Sequence, residues 1–393
     1  MSSEIAIVAA KRTPIGSFQG ALLPAKATEL GSAAATATID QGNIDAAELS
    51  EVILGCVLPA GVGQAPARQA ALGAGIPEPV TCTTINKVCG SGMKAVMLGH
   101  DAIKAGSADI VLAGGMESMS NAPYLILKAR EGLRMGHKEL IDHMFYDGLQ
   151  NPYDDQMMGV FAESTADKYQ FTREQQDKFS IESVKRAQNS VANGVFKDEI
   201  TPVTIKTRKA EIVVDTDEEP DRCDIEKIPT LRPAFRRDGG TVTAASSSSI
   251  SDGAATLLLM SVENAKQRGL TPLAKIVGHA SAAQAPEWFT TAPIAAIKKL
   301  YEQTGWSDDN VDLYEINEAF AVVAMAALKD LDISHDKVNV NGGACALGHP
   351  IGASGARILV TLLYALRQRS LKRGIASLCI GGGEATAIAI ECS

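Results

Sequence analysis

The sequence contains the same order of elements twice. An apolar run, a Ser-Gly pair, a helical pattern and a second apolar run ending in glycine occupy residues 52–115 and again residues 311–382. The first apolar run begins 40 positions before Gly92 in the first copy and 44 positions before Gly355 in the second. The glycine that ends the second apolar run follows at similar distances: Gly114 is 22 positions after Gly92, and Gly381 is 26 positions after Gly355. This repeat predicts two copies of one α/β unit, in which each Ser-Gly pair begins a central helix.

Continuous apolar runs that alternate with helices predict a mainly parallel sheet covered on both faces. A chain of 393 residues is also too long for one ordinary core. Between the repeats lies a polar segment with an amphipathic helical pattern at 172–193 and a strand-like run at 199–205. We therefore divide the chain into a first half (1–119), an inserted loop domain (120–248), a segment returning to the first half (249–270) and a second half (271–393).

Charge and apolar content exclude several classes of partner. The net charge is −9 and the pI is about 5.3, with no dense basic run to bind nucleic acid or an anionic membrane. The apolar runs Ile5–Ala10 and Ala319–Leu328 are too short for a secretory signal and a membrane helix, respectively. We expect a soluble, cytoplasmic protein. The seven cysteines show neither a Cys-x-x-Cys pair nor zinc spacing, so we expect no disulfide scaffold and no metal.

Cys89 precedes Gly90-Ser91-Gly92 at the start of the first central helix. The partial positive charge of a helix N-terminus lowers the pKa of a thiol, and the adjacent glycines allow a substrate carbonyl to approach the backbone. His349 lies between Gly348 and Pro350, which places it on a loop feeding the second central helix. The pseudo-symmetry of the halves would bring this imidazole to Cys89, where it would accept the thiol proton.

Three further polar groups follow strand-like runs of the second half. Cys379 precedes a triple glycine, and a second thiol there suits acid–base chemistry at carbon. Asn317 follows the run Leu313–Ile316, and its amide would orient a water or donate to an oxyanion. For Glu318 we expect a structural role that ties loops together.

Several motifs in one order resemble those of the thiolase family, and within it the members that condense two molecules of acetyl-CoA. They are Lys11–Gly16, Cys89–Met93, Gly114–Ser120, Asp238–Ala244, Asn317–Phe320, Asn339–Gly343, Gly348–Gly355 and Cys379–Gly383. The resemblance covers essentially the whole chain. It implies an α/β fold of two duplicated βαβαβαββ halves, which form a five-layered αβαβα core with a loop-rich insertion.

The resemblance also implies roles for the residues. Cys89 would be acylated after activation by His349, and Cys379 would deprotonate the second acetyl group. Asn317 would hold a water that forms one oxyanion hole with His349, and the backbone N–H groups of Cys89 and Gly381 would form the other.

The implied reaction is a ping-pong Claisen condensation of two acetyl-CoA to acetoacetyl-CoA and CoA, together with its reverse, thiolysis. CoA is substrate or product, so no cofactor is implied. The residues implied to contact CoA are Leu149, Met157, Arg222, Phe235, Ala244, Ser248, Ala319 and Phe320. The resemblance further implies a homotetramer, a dimer of dimers.

Departures from the family pattern leave open which acyl-chain length the protein prefers in its substrate. Met157 stands where acetoacetyl-CoA enzymes often have histidine, and Phe289 would reshape the acyl pocket. The alternative is a 3-ketoacyl-CoA thiolase acting on longer chains in β-oxidation. A decarboxylating condensing enzyme would need histidine in place of Cys379. A catalytically silent oligomeric scaffold would not need the intact set of Cys89, Asn317, His349 and Cys379.

Overall fold

A computed structural model describes residues 4–206 and 210–392. Its first segment, through residue 119, contains most of the first half. Its strands and helices are β1 (Ile5–Arg12), β2 (Gly16–Ser17), α1 (Ala27–Gly42), β3 (Glu51–Gly55), α2 (Pro66–Gly73), β4 (Thr81–Ile85), α3 (Ser91–Ala105) and β5 (Ile110–Ser118).

The inserted segment is built mainly of helices and short hairpins. It contains β6 (Tyr124–Leu125), β7 (Ile141–Asp142), α4 (Met158–Tyr169), α5 (Arg173–Ala192), β8 (Val203–Lys206), β9 (Glu211–Val214) and α6 (Glu219–Arg222), with a π-helical turn at Phe145–Leu149. Thr172 caps α5 by accepting a hydrogen bond from the Gln175 N–H, which confirms the helix predicted at 172–193. The strand-like run at 199–205 forms a strand only from Val203.

The chain then returns to the first half and continues into the second. The elements are β10 (Ser251–Ser261), α7 (Val262–Gln267), β11 (Ala274–Ala283), α8 (Ala292–Thr304), β12 (Leu313–Ile316), α9 (Ala321–Leu331), α10 (Ala344–Leu347), α11 (Ser354–Gln368), β13 (Arg373–Ile380) and β14 (Glu384–Cys392). The helices α3 and α11 begin at the serines of the two Ser-Gly pairs, as predicted.

The two halves have matching strand orders. In the first half the order is β4-β3-β5-β10-β1, and in the second it is β12-β13-β14-β11, with Val338 bridging Tyr314 in place of the third strand. Both β1 and β11 shift register after their third residue, Ile7 and Ile276. This correspondence confirms the duplicated βαβαβαββ organisation. The exact domain boundaries drawn from the sequence stay a prediction.

The core has five layers. The β1–β11 pairing joins the strands of both halves into one ten-stranded sheet. Helices α1 and α2 cover the outer face of the first half's strands, α3 and α11 lie between the strands of the two halves, and α8 and α9 cover the outer face of the second half's strands. The central helices touch at their first turns: a Cβ on Gly92 would lie 2.9 Å from the Ala356 nitrogen, and a Cβ on Gly355 would lie 2.5 Å from the Met93 nitrogen. The Ser-Gly pairs therefore contain glycine because the two backbones meet there.

The expectation of a mainly parallel sheet is wrong. Among the described strands only β3–β4, β3–β5 and β12–β13 are parallel, and the other pairs of the large sheet are antiparallel. Each half closes with a return strand, β10 or β14, that runs back beside its neighbour. Three glycines join β13 to β14, a connection too short for a parallel crossover. The continuous apolar runs reflect burial on both faces, which the central helix layer provides for antiparallel strands as well.

Within the described residues, no helix is both long enough and apolar enough to cross a lipid bilayer.

Candidate active site

Cys89 lies in the tight turn between β4 and α3, and its side chain is partly exposed to an internal cavity. The hydroxyl of Ser91 fixes this turn, because it donates to the Val88 carbonyl (2.7 Å) and accepts from the Lys87 N–H (2.8 Å). Val88 adopts φ +46°, an unfavourable conformation for a β-branched residue, so the surrounding structure holds the nucleophile turn in a defined shape.

Burial raises the pKa of Cys89 to about 11. The expectation that the helix N-terminus would lower this pKa is therefore wrong, since desolvation of the thiolate outweighs the backbone donors. Two of those donors are the N–H groups of Gly381 and of Cys89 itself, which point to the sulfur and partly offset the rise. The Cys89 sulfur is thus contacted by one N–H group from each half of the chain.

His349 lies on a loop before α11, and its imidazole lines the same cavity. The Ser354 hydroxyl lies 2.5 Å from His349 Nδ1 and donates its own proton to the Pro350 carbonyl at 2.9 Å. With the Ser354 proton on Pro350, this arrangement favours the tautomer in which His349 Nδ1 donates to Ser354 and Nε2 is the unprotonated nitrogen. That Nε2 atom is buried and has no hydrogen-bond partner among residues 4–206 and 210–392. Burial, assisted by the charge of Arg357, lowers the pKa of His349 to about 3, so the ring is neutral.

Cys379 and Asn317 are buried, and neither is among the residues that line the cavity. Burial raises the pKa of Cys379 well above its usual value, and the charge of a Cys89 thiolate would raise it further, which places the two sulfurs near each other. Asn317 is buried where β12 ends, and neither its amide nitrogen nor its amide oxygen has a hydrogen-bond partner in the part of the chain that the structure describes. A buried amide with all its hydrogen-bonding capacity unused fits a group that holds water or substrate.

Two buried carboxylates fix the loops around these groups. Glu318 accepts hydrogen bonds from the Ser183 hydroxyl (2.7 Å), the Asn339 amide (2.7 Å) and the Cys345 N–H (3.1 Å), so it ties three segments together. Its expected structural role is consistent with these contacts.

Glu117 was not singled out in the sequence, although it holds the His349 loop. At the end of β5 it accepts from the N–H groups of Val57 (2.9 Å), Leu58 (3.1 Å) and Gly352 (2.9 Å). The loop after β3 and the turn before α11 are therefore anchored to one carboxylate.

The cavity has a volume of about 230 Å³ and an almost entirely apolar lining. Three of the four phenylalanine rings in its wall pack together, with Phe235 and Phe289 edge-on against Phe320 at centroid distances of 5.9 and 6.4 Å. The Ser248 hydroxyl donates to the Ala319 carbonyl at 3.1 Å and joins this wall to the loop after β12. A thiol, a neutral imidazole and a pair of N–H donors thus meet at a cavity suited to an apolar thioester chain.

Comparison with known proteins identifies the family. Residues 5–263 match the family model for the thiolase N-terminal domain, and residues 270–392 match that for the thiolase C-terminal domain. This chain belongs to the thiolase family.

Similar thiolases cover its full length. Acetyl-CoA acetyltransferase 2 of Arabidopsis thaliana is 53% identical over 99% of this chain and 97% of the relative. The crystal structure of the Bacillus anthracis acetyl-CoA acetyltransferase superposes with a TM-score of 0.97 at 43% identity, covering 100% of this chain and 99% of that one. A thiolase of Ascaris suum, solved in complex with coenzyme A, gives a TM-score of 0.94 at 43% identity, covering 99% and 100%.

Most of the residues predicted to contact CoA line the cavity of this thiolase. They are Leu149, Met157, Phe235, Ser248, Ala319 and Phe320. Ala244 and Arg222 are exposed and are not among the lining residues; Arg222 lies 3.6 Å from Glu218. Contact with CoA stays a prediction for all eight residues.

Sequence reasoning missed other residues of the lining, among them Met119, Phe145, Met158, Ile250 and Ile351. These residues come from separate turns and helix ends, and apolar side chains at such places carry no pattern that distinguishes them from core residues.

Proposed function

We propose that this thiolase is an acetyl-CoA C-acetyltransferase. It would condense two acetyl-CoA to acetoacetyl-CoA and CoA by a ping-pong mechanism and catalyse the reverse thiolysis. The observation that carries the proposal is the convergence of Cys89, the Gly381 N–H and the unprotonated Nε2 of His349 at one apolar cavity. Acetyl-CoA acetyltransferases that align with the full chain at about half identity support the same reaction.

In the acylation step, Cys89 needs a base because its raised pKa keeps it a thiol. His349 Nε2 would take the thiol proton while the sulfur attacks the thioester carbon of acetyl-CoA. The developing oxyanion would lie between the N–H groups of Cys89 and Gly381, where each such donor is worth about 3–4 kcal/mol. The C–S bond to CoA then breaks, and the proton on His349 passes to the departing CoA sulfur.

In the condensation step, Cys379 is the base. Its proton would rest on His349 while the Cys379 thiolate removes a proton from the methyl carbon of the second acetyl-CoA. The carbanion attacks the acetyl group on Cys89, a carbon–carbon bond forms and the bond to Cys89 sulfur breaks. His349 returns its proton to Cys89, so the free enzyme is regenerated with both thiols protonated. The Asn317 amide would hold the water that, with His349, stabilises the enolate oxygen.

The reaction uses protein side chains only, so the proposal includes no cofactor beyond CoA as substrate and product. The small cavity and its phenylalanine wall favour an acetyl or acetoacetyl group over a long acyl chain. Thiolysis of 3-ketoacyl-CoA substrates of increasing length measures this directly. Higher kcat/KM for long chains than for acetoacetyl-CoA would favour the β-oxidation alternative.

Two substitutions separate the roles of the thiols. We expect Cys89→Ser to lose acetylation of the protein and nearly all thiolysis. We expect Cys379→Ser to become acetylated by acetyl-CoA, as seen by mass spectrometry, and to fail in condensation. Wild-type-like turnover by Cys89→Ser would refute the nucleophile assignment, and equal loss of both half-reactions in Cys379→Ser would refute the assignment of the second thiol.

A homotetramer in the cytoplasm is part of the proposal. Exposed apolar side chains concentrate in one stretch of the insertion, at Tyr124, Ile126, Leu127, Leu133, Met135 and Leu140, and such a patch favours association. Light scattering of the purified protein tests the tetramer, because a monomeric mass at micromolar concentration would contradict it. Fractionation of cells that express the protein tests the compartment.

A further inference from the structure

Two histidines and an aspartate meet where the two halves of the chain join, outside the cavity lining. His100 and Asp101 lie on α3, and His279 lies on β11. Asp101 Oδ1 is 3.0 Å from His100 Nδ1 and 2.8 Å from His279 Nε2, and the two imidazoles pack edge-to-face at 4.9 Å. Two ring nitrogens and one carboxylate oxygen, all able to bind a metal ion, therefore lie close together and come from both halves of the chain.

The spacing of these atoms suits a transition-metal ion. All three lie within 4.8 Å of one another. Ligands about 2.0–2.2 Å from a tetrahedral ion lie roughly 3.3 Å apart, so small side-chain rotations would complete the set. His100 contributes Nδ1, the ring nitrogen nearer the backbone, which is why the adjacent residue Asp101 can share the site.

The hydrogen bonds within the cluster already aim both ring nitrogens at the same carboxylate oxygen, Asp101 Oδ1. Each imidazole can carry its proton on the other ring nitrogen, so a metal would displace only the hydrogen bonds to Asp101. Asp101 is exposed and His279 is partly exposed, so an ion can enter from solvent.

We propose that His100, Asp101 and His279 form a site for one divalent transition-metal ion. The two imidazole nitrogens and one carboxylate oxygen suit Zn²⁺, Co²⁺ or Ni²⁺, with water in the remaining positions. The ion links α3 of the first half to β11 of the second, so its role is structural. It takes no part in the acyl-transfer steps.

Co²⁺ added to chelator-treated protein is the test, because its visible absorption reports coordination. We expect one Co²⁺ per chain, with d–d bands and no sulfur-to-cobalt charge-transfer band, which separates this site from the cysteines. Asp101→Asn and His279→Ala should each weaken binding by roughly tenfold or more. The control His137→Ala, at an exposed histidine elsewhere, should bind like the wild type.

Unfolding temperature gives the second readout. It should rise with Co²⁺ concentration for the wild type and for His137→Ala, and should rise less for Asp101→Asn at the same Co²⁺ concentrations. Thiolysis activity in all variants shows that each is folded, so a failure of the proposed enzymatic function would be seen separately in the wild type. The proposal is overturned if the wild type binds no Co²⁺, if binding shows a sulfur charge-transfer band, or if Asp101→Asn and His279→Ala bind as the wild type does.

Discussion

The free enzyme should hold Cys89 and His349 as a neutral thiol and a neutral imidazole, and the rate of Cys89 alkylation at increasing pH measures this. The pKa of Cys89 is about 11 and that of His349 is about 3. Moving the proton from sulfur to nitrogen therefore costs about 11 kcal/mol, from about 1.4 kcal/mol for each pKa unit of the difference. Two unit charges in contact at about 4 Å attract by only about 4 kcal/mol at an effective dielectric constant of about 20, so ion-pair attraction does not recover this cost. The neutral pair is favoured by several kcal/mol.

The high pKa of Cys89 determines how the alkylation rate depends on pH. Iodoacetamide reacts with the thiolate, whose fraction at pH 7 is about one in ten thousand for a pKa of about 11. The rate constant for Cys89 should therefore rise about tenfold for each pH unit between pH 7 and pH 10. Peptide mapping isolates the Cys89 signal from the other six cysteines, and Cys89→Ser confirms the assigned peptide.

A plateau in the alkylation rate below pH 8 would refute this reasoning. It would show a thiolate already formed at neutral pH, as in an ion pair with His349, and would mean that burial does not dominate the pKa of Cys89.

Three substitutions test the surroundings of the site. Ser354→Ala removes the acceptor that holds the proton on His349 Nδ1, so kcat should fall roughly two- to tenfold with little change in KM. An unchanged kcat would show that Ser354 does not determine the tautomer of His349. Phe289→Ala removes a ring from the cavity wall, so kcat/KM for a longer 3-ketoacyl-CoA should rise relative to kcat/KM for acetoacetyl-CoA. The free energy of unfolding should fall by about 3–5 kcal/mol. A constant ratio of the two kcat/KM values would exclude Phe289 from chain-length selection. Glu117→Gln places an amide N–H₂ against backbone donors, so urea denaturation should show a loss of about 1–3 kcal/mol in unfolding free energy, and an unchanged midpoint would contradict this.

The sequence predicted the duplication and the starts of the central helices because both depend on local signals. The Ser-Gly pairs mark places where a side chain at Gly92 or Gly355 would strike the other helix, and this restriction is visible as a repeated motif. The direction of the strands was predicted wrongly, because an apolar run reports burial on both faces and not the partner beside it. Only the three-glycine link before β14 indicated a return strand.

The identity of the reactive groups was easier to predict than their electrostatics. Cys89, His349 and Gly381 stand next to glycines in recognisable motifs, and the structure brings them to one cavity. The pKa of Cys89 depends on how much water the assembled halves exclude, which no local sequence feature records. The support from Glu117 was missed for the same reason, since its partners are the backbone N–H groups of segments distant in sequence.

The position of β1 has a consequence for synthesis of the chain. Ile5–Arg12 leaves the ribosome well before its partner strands, which begin at Ser251 and Ala274. At about 5–20 residues per second, this strand has no partner for about 12–50 s. During that interval the apolar segment Ile5–Ala10 is a free strand edge able to pair with other nascent chains. Protection of this short segment by a chaperone should therefore limit the yield of the folded protein more than the stability of the finished core does.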